Sequence, residues 1–127
     1  MAAACNVSVI AEVTGLGKEL SFIEKFSTTT PEKVMYNYDE IDTAEEEALD
    51  VGQILEDGGT VEFIIIKNLD STNYVEIDCN YTASTFRANI YLAAGDVAMF
   101  KPSGTVYAKA NTGAVLVEYV VIGKNAA

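Results

Sequence analysis

Histidine and tryptophan are absent from this sequence, and cysteine and proline occur only twice each. Without histidine the chain lacks the commonest general base, the usual middle member of a nucleophilic triad and the commonest zinc ligand. The two cysteines, Cys5 and Cys79, form no Cys-x-x-Cys pair, so no zinc set can be assembled from them. They read as reduced thiols packed in a β core, with a Cys5–Cys79 disulfide as the open alternative. Long apolar runs are missing too. Phe63-Ile64-Ile65-Ile66 is among the longest, far short of a bilayer span. The opening Met1-Ala2-Ala3-Ala4-Cys5-Asn6 has neither a basic segment nor a long apolar stretch, so it is not expected to act as a secretory signal. Gly15-Leu16-Gly17 lacks the further glycine and following helix of a dinucleotide site and reads as a hairpin turn. No cofactor is expected.

Positive charge is scarce. Eight bases face 19 acids, a formal net charge of −11. A nucleic-acid binder needs a basic footprint to displace phosphate counterions, and anionic membranes repel such a chain, so neither is an expected partner. A basic protein surface would complement it. Between Lys33 and Lys67 there are ten acids and no base. Asp39, Glu40, Asp42, Glu45, Glu46 and Glu47 lead this run and are candidate interaction residues. Two readings stand side by side: a solvated acidic loop, or an arm docking on a basic surface. A Ca²⁺ site is a third, but the spacing does not match the EF-hand ligand order. The carboxylates bear no motif that marks a glycosidase pair, so solvated acids are the simpler reading and an enzyme is not expected.

What is abundant is β-forming. Val, Ile, Thr, Tyr and Phe dominate, and half the residues are hydrophobic, which excludes general disorder. Val7, Val9, Ala11 and Val13 alternate against Asn6, Ser8, Ile10 and Glu12, the period of a strand with one face buried. Leu20, Phe22 and Phe26 share one face of a second strand at about 18–27. Residues 33–38 read as a third strand. Within 39–50, an acidic loop and a short strand are expected, and Thr43-Ala44-Glu45-Glu46 leaves one helical turn open. Residues 61–69 are apolar on both faces, so both sides should be covered. Asp70-Ser71-Thr72-Asn73 reads as a hairpin loop, Tyr74 to Thr82 as a strand, and Phe86, Ala88, Ile90 and Leu92 as the inward set of the next. Short strands at 97–100 and 106–110 follow. Val115, Val117, Tyr119 and Val121 oppose Leu116, Glu118, Val120 and Ile122 in a closing strand apolar on both faces.

This pattern gives about eight to ten short strands with regular turn signals, an all-β chain. A β-sandwich is expected, jelly-roll or Greek-key-like. At 127 residues the chain fits a single domain, residues 1–127, that needs neither metal nor disulfide to fold. Residues 1–6 and the acidic segment 39–57 are candidate arms. Phe63, Ile65, Val117 and Tyr119, from the strands apolar on both sides, are candidate subunit contacts. The seven tyrosines would either cap the sandwich or line a carbohydrate surface, and the lack of tryptophan weakens the second reading.

Ile66-Lys67-Asn68-Leu69-Asp70-Ser71-Thr72-Asn73-Tyr74-Val75-Glu76-Ile77 resembles a hairpin of small tailed-bacteriophage virion proteins. Leu92-Ala93-Ala94-Gly95-Asp96-Val97-Ala98-Met99-Phe100 resembles their turn and apolar strand. Tyr107-Ala108-Lys109-Ala110 and Val115-Leu116-Val117-Glu118-Tyr119 resemble their closing strands. The resemblance covers residues 60–122 and brings no catalytic residue. It implies a virion location and a structural role. The first expectation is a capsid decoration (cement) protein, a homo-oligomer expected as a trimer, whose partners are the major capsid protein or other virion proteins. A neck, tail or fibre-associated ring subunit is the alternative, and a carbohydrate-binding sandwich a further one.

Overall fold

The computed structural model describes residues 4–17, 19–29, 31–51 and 59–124. These form ten strands, and among the described residues there is no helix. Contacts divide the chain into two compact units, Met1–Glu32 and Lys33–Ala127, where the composition led us to expect one domain.

The first unit is a two-stranded antiparallel ribbon of β1 (Ala4–Val13) and β2 (Leu20–Thr29). Gly15 and Gly17 both lie at φ +86° in the connecting loop, a backbone region that glycine enters without a Cβ penalty. The register pairs Val13 with Leu20, Ala11 with Phe22, Val9 with Glu24 and Val7 with Phe26. The predicted apolar sets of the two strands therefore share one face. That face is not buried as expected for the first strand: Val9 and Val13 are each 37% exposed, and Leu20 and Phe22 beside them are 60% and 51% exposed. The opposite face carries Asn6, Ser8, Glu12, Ser21, Lys25 and Ser27 around one Ile10–Ile23 pair.

The second unit is a sandwich of two four-stranded antiparallel sheets. One has the order β3 (Lys33–Ile41), β10 (Val115–Lys124), β5 (Thr60–Asn68), β8 (Val97–Phe100). The other has the order β4 (Glu47–Ala48), β9 (Tyr107–Ala110), β6 (Val75–Asp78), β7 (Ile90–Leu92). Seven strand-to-strand links join these eight strands, and only β6 to β7 stays within a sheet. That alternation is the strand order of a jelly roll, two Greek keys folded together. The core lies between the sheets. Ile64 and Ile66 from β5, Val115, Val117, Tyr119 and Val121 from β10, and Val75 and Ile77 from β6 are fully or almost fully buried. Alternation in β10 is what places these four on one side, since successive side chains of a strand point to opposite faces.

Several expectations need correction. Residues 70–73 are not a hairpin loop. Both edges of β5 are taken, by β10 and β8, so the chain crosses to the other sheet. Asp70 shapes the crossing by accepting from the backbone N–H of Thr72 (2.9 Å) and Asn73 (2.6 Å), and these donors hold its carboxyl below the usual range. The strand expected over Phe86–Leu92 begins only at Ile90, and β6 ends at Asp78. Side chains take over the ladder there. Asp78 accepts from the N–H of Asn80 (2.9 Å) and Arg87 (2.8 Å), and Asn89 Oδ1 accepts from Cys79 N–H (2.9 Å). Ala83 and Ser84, both at φ +54°, make a left-handed two-residue turn closed by Thr85 N–H on Thr82 O (3.0 Å).

The candidate arms lie partly in strands where they are described. Ala4, Cys5 and Asn6 belong to β1, and residues 1–3 lie outside the described residues. Of the acidic segment, Asp39 and Glu40 lie in β3, Glu47 in β4, and Ile41 and Leu49 are core residues. Residues 52–57 lie outside the described residues. Thr43, Ala44 and Glu45 form a bend instead of the helical turn left open above.

Candidate interaction surface

The β3–β10–β5–β8 sheet has an outward face that stays largely apolar. Its register aligns three rows across the strands. Val34, Ile122 and Phe63 make the first. Tyr36, Val120, Ile65 and Met99 make the second. Tyr38, Glu118, Lys67 and Val97 make the third. Val34 and Val97, at the two edges, are 67% and 60% exposed. Between the edges the face dips into a hollow of about 300 Å³ that Tyr36, Ile65, Val97 and Val120 help to line.

Glu118 organises the polar part of this face. The Tyr36 hydroxyl donates to Glu118 Oε2, and the Tyr38 hydroxyl donates to the same oxygen at 3.1 Å. The two hydroxyls are 2.9 Å apart and their rings meet edge to face at 5.4 Å. The Tyr36 hydroxyl lowers the Glu118 carboxyl's pKa, and the carboxylate in turn pushes the Tyr36 phenol well above its ordinary value. Lys67, the cross-strand neighbour of Glu118, has no ion-pair partner among the described residues.

The sequence-predicted contact residues divide between the two sides of the sheet. Phe63 and Ile65 do lie on the outward face, half-buried. Val117 and Tyr119 do not: both are buried in the core, and the Tyr119 hydroxyl donates to Asp50 O (2.7 Å) and accepts from Asn37 Nδ2 (3.1 Å). A strand apolar on both faces gives no signal for which set turns inward, and their neighbours Leu116, Glu118 and Val120 are the outward set.

The acidic candidates do not form one cluster. Glu40, Asp42 and Glu45 are exposed. Glu46 accepts from the Tyr81 hydroxyl (3.0 Å) and sits below its usual pKa, first through a backbone hydrogen bond and then through that hydroxyl. Among the described residues no group of three or more carboxylates and thiols is placed to hold a metal ion. Glu47 is the exception in this run. Its Oε1 is buried with no hydrogen-bond partner among the described residues, and burial, with the Asp39 and Asp42 charges behind it, raises its pKa. A carboxyl with a raised folded pKa stabilises the fold below the unfolded value, near 4.5, and that contribution is lost as pH rises through the folded value. Glu47→Gln is therefore expected to raise the melting temperature at pH 7 by a few degrees at most, about 1 kcal/mol or less given its partial exposure, with no gain near pH 3. Thermal denaturation at the two pH values checks this, and an equal shift at both would refute it.

The seven tyrosines sort into three pairs and one core residue. Tyr36 and Tyr38 share the outward face, Tyr74 and Tyr91 lie 4.8 Å apart, Tyr81 stacks on Tyr107 at 3.6 Å, and Tyr119 is buried. Both cysteines are free and half-buried. Burial, then the Asp78 charge, raises the Cys79 thiol's pKa. No protein-family model, curated protein or solved structure matches this chain.

Proposed function

We propose that this chain is a structural protein of a bacteriophage virion, and that it works as a capsid decoration protein bridging neighbouring capsid subunits. The observation that carries the reading is the ribbon of β1 and β2. A lone two-stranded ribbon is marginal in water, and this one keeps Leu20, Phe22 and Phe26 on a face that its own unit leaves exposed. A face of that kind is stabilised by docking, and a shell offers adjoining subunits to dock on. The jelly-roll order supports the reading by analogy, because viral capsid and lectin domains use it. The resemblance of residues 60–122 points the same way.

The ribbon is the grip on the shell, and its gross apolar burial would contribute about 25 cal/mol per Å² before the costs of association. Quantitative mass spectrometry of purified particles tests this. Hundreds of copies per particle are expected, and a Leu20→Asp, Phe22→Asp double variant is expected to leave the particles while its sandwich stays folded. Six to a few dozen copies would instead favour a neck, tail or fibre-associated ring. Absence from particles would sink the virion reading altogether.

The lectin alternative has the exposed Tyr36–Tyr38–Glu118 group in its favour. Against it, the Tyr36 and Tyr38 rings meet at 82° and so do not form one continuous flat platform for a sugar ring. A glycan array with no response would remove it.

A further inference from the structure

We propose that the outward face of the β3–β10–β5–β8 sheet packs against the same face of a second copy of this chain, about a two-fold axis that runs along the strands between β10 and β5. The inference is independent of where the protein acts, since it rests on the face alone.

The charge pattern selects the second copy. Glu118 on β10 and Lys67 on β5 are direct cross-strand neighbours in the middle of the face. Rotation about an axis lying between those two strands sets β10 of one copy over β5 of the other. Glu118 then meets Lys67 of the second copy, and the reciprocal pair forms on the other side of the axis. Such a face is complementary to itself, as an isologous interface requires. Lys67, whose charge already acts on Glu118 of its own sandwich but which makes no ion pair within 4 Å among the described residues, gains a direct one.

The apolar positions follow the same operation. Val120 meets Ile65 of the second copy, in the row beside the charges, and exposed Tyr38 at one edge meets exposed Val97 at the other. Face-to-face sheets stack about 10 Å apart with their strands nearly aligned, so these side chains reach one another. Four strands about 4.8 Å apart and roughly seven residues long give a footprint near 400 Å². A standard interface takes about 800 Å² of accessible surface from each partner. The pairing is therefore a weak, concentration-dependent dimer. Net charge of −11 on each copy opposes it, and salt at physiological strength screens that repulsion beyond about 8 Å.

Sedimentation velocity on the full chain in 150 mM salt, across about 1 to 200 µM, tests the proposal. A monomer–dimer equilibrium is expected for the wild type. Lys67→Glu and Glu118→Lys each place like charges across the axis and are expected to weaken dimerisation at least about tenfold. Mixing the two variants restores both opposite-charge pairs across the interface, so the mixture is expected to form heterodimers that neither variant forms alone. Val97→Asp, at an exposed edge position where it leaves the sandwich core untouched, is expected to weaken the dimer as well. A monomer at the highest concentration, a trimer, dimers indifferent to these substitutions or a mixture that stays monomeric would each overturn the proposal.

Discussion

Tyr119→Ala is expected to cost the sandwich about 3–5 kcal/mol, which is the range for deleting a buried aromatic ring. The ring is 1% exposed and sits on β10, the strand that pairs with β3 on one side and β5 on the other. Loss of the ring opens a void in the buried core. It also strands two polar groups, Asp50 O at 2.7 Å and Asn37 Nδ2 at 3.1 Å, that the hydroxyl now satisfies. Tyr119→Phe separates the two effects, because it keeps the packing and removes only the hydroxyl, at about 1–2 kcal/mol. A domain of this size has a total stability of about 5–15 kcal/mol, so the alanine variant should lose a large part of it. Urea denaturation followed by far-ultraviolet circular dichroism reads both values. The midpoint should fall with little change in slope. An alanine variant within about 1 kcal/mol of wild type would mean that the ring is not a core element.

That tyrosine also marks how far the sequence could be read. Alternation placed Val115, Val117, Tyr119 and Val121 on one side of a strand, and the structure agrees. It could not say which side faced the core, because Leu116, Val120 and Ile122 make the other side apolar as well. The expectation that Val117 and Tyr119 were contact residues failed at that ambiguity. Strand patterns were enough for β1, β2, β3, β5 and β10 and, with the turn signals, for an all-β sandwich. They were not enough for strand partners. Asp70-Ser71-Thr72-Asn73 has the chemistry of a hairpin loop, and the same asparagine and aspartate geometry serves a crossing between sheets equally well. Which one forms depends on whether the edges of β5 are free, and β10 and β8, remote in sequence, occupy them.

The candidate surface was hidden for a related reason. Tyr36, Tyr38, Glu118 and Lys67 come from three strands, and their meeting depends on register across β3, β10 and β5. Single-strand alternation shows that Tyr36 and Tyr38 share a face, but it cannot show that a glutamate 80 positions further along reaches the Tyr38 hydroxyl. The acidic run misled in the opposite direction. A high density of carboxylates suggested an arm, while Ile41 and Leu49 within it supply the apolar surface that fastens its described part to the core. Charge density describes the solvent side of a segment, and two buried aliphatic side chains decide where the segment lies.

Asn68→Leu is the second substitution expected to be severe, at about 3–5 kcal/mol for one buried and two part-buried partners left unpaired. Asn68 is fully buried at the end of β5. Its Nδ2 donates to Asn73 O (2.9 Å) and Leu92 O (3.1 Å), and its Oδ1 accepts from Asp70 N–H (2.8 Å). One side chain thus ties the sheet containing β5 to the crossing loop and to the end of β7. Leucine has nearly the same shape but satisfies none of the three groups. Asn68→Asp makes the argument sharper. It keeps an acceptor for Asp70 N–H, yet turns a carboxylate oxygen toward two carbonyl oxygens that need a donor. Protonation restores that donor, so the folded aspartic acid should have a raised pKa, and the deficit should shrink as pH falls below that value. Equilibrium unfolding of both variants at pH 7 and pH 4 is the measurement. Equal deficits for Asn68→Asp at the two pH values, or a leucine variant within about 1 kcal/mol of wild type, would show that this side chain is not the tie between the sheets.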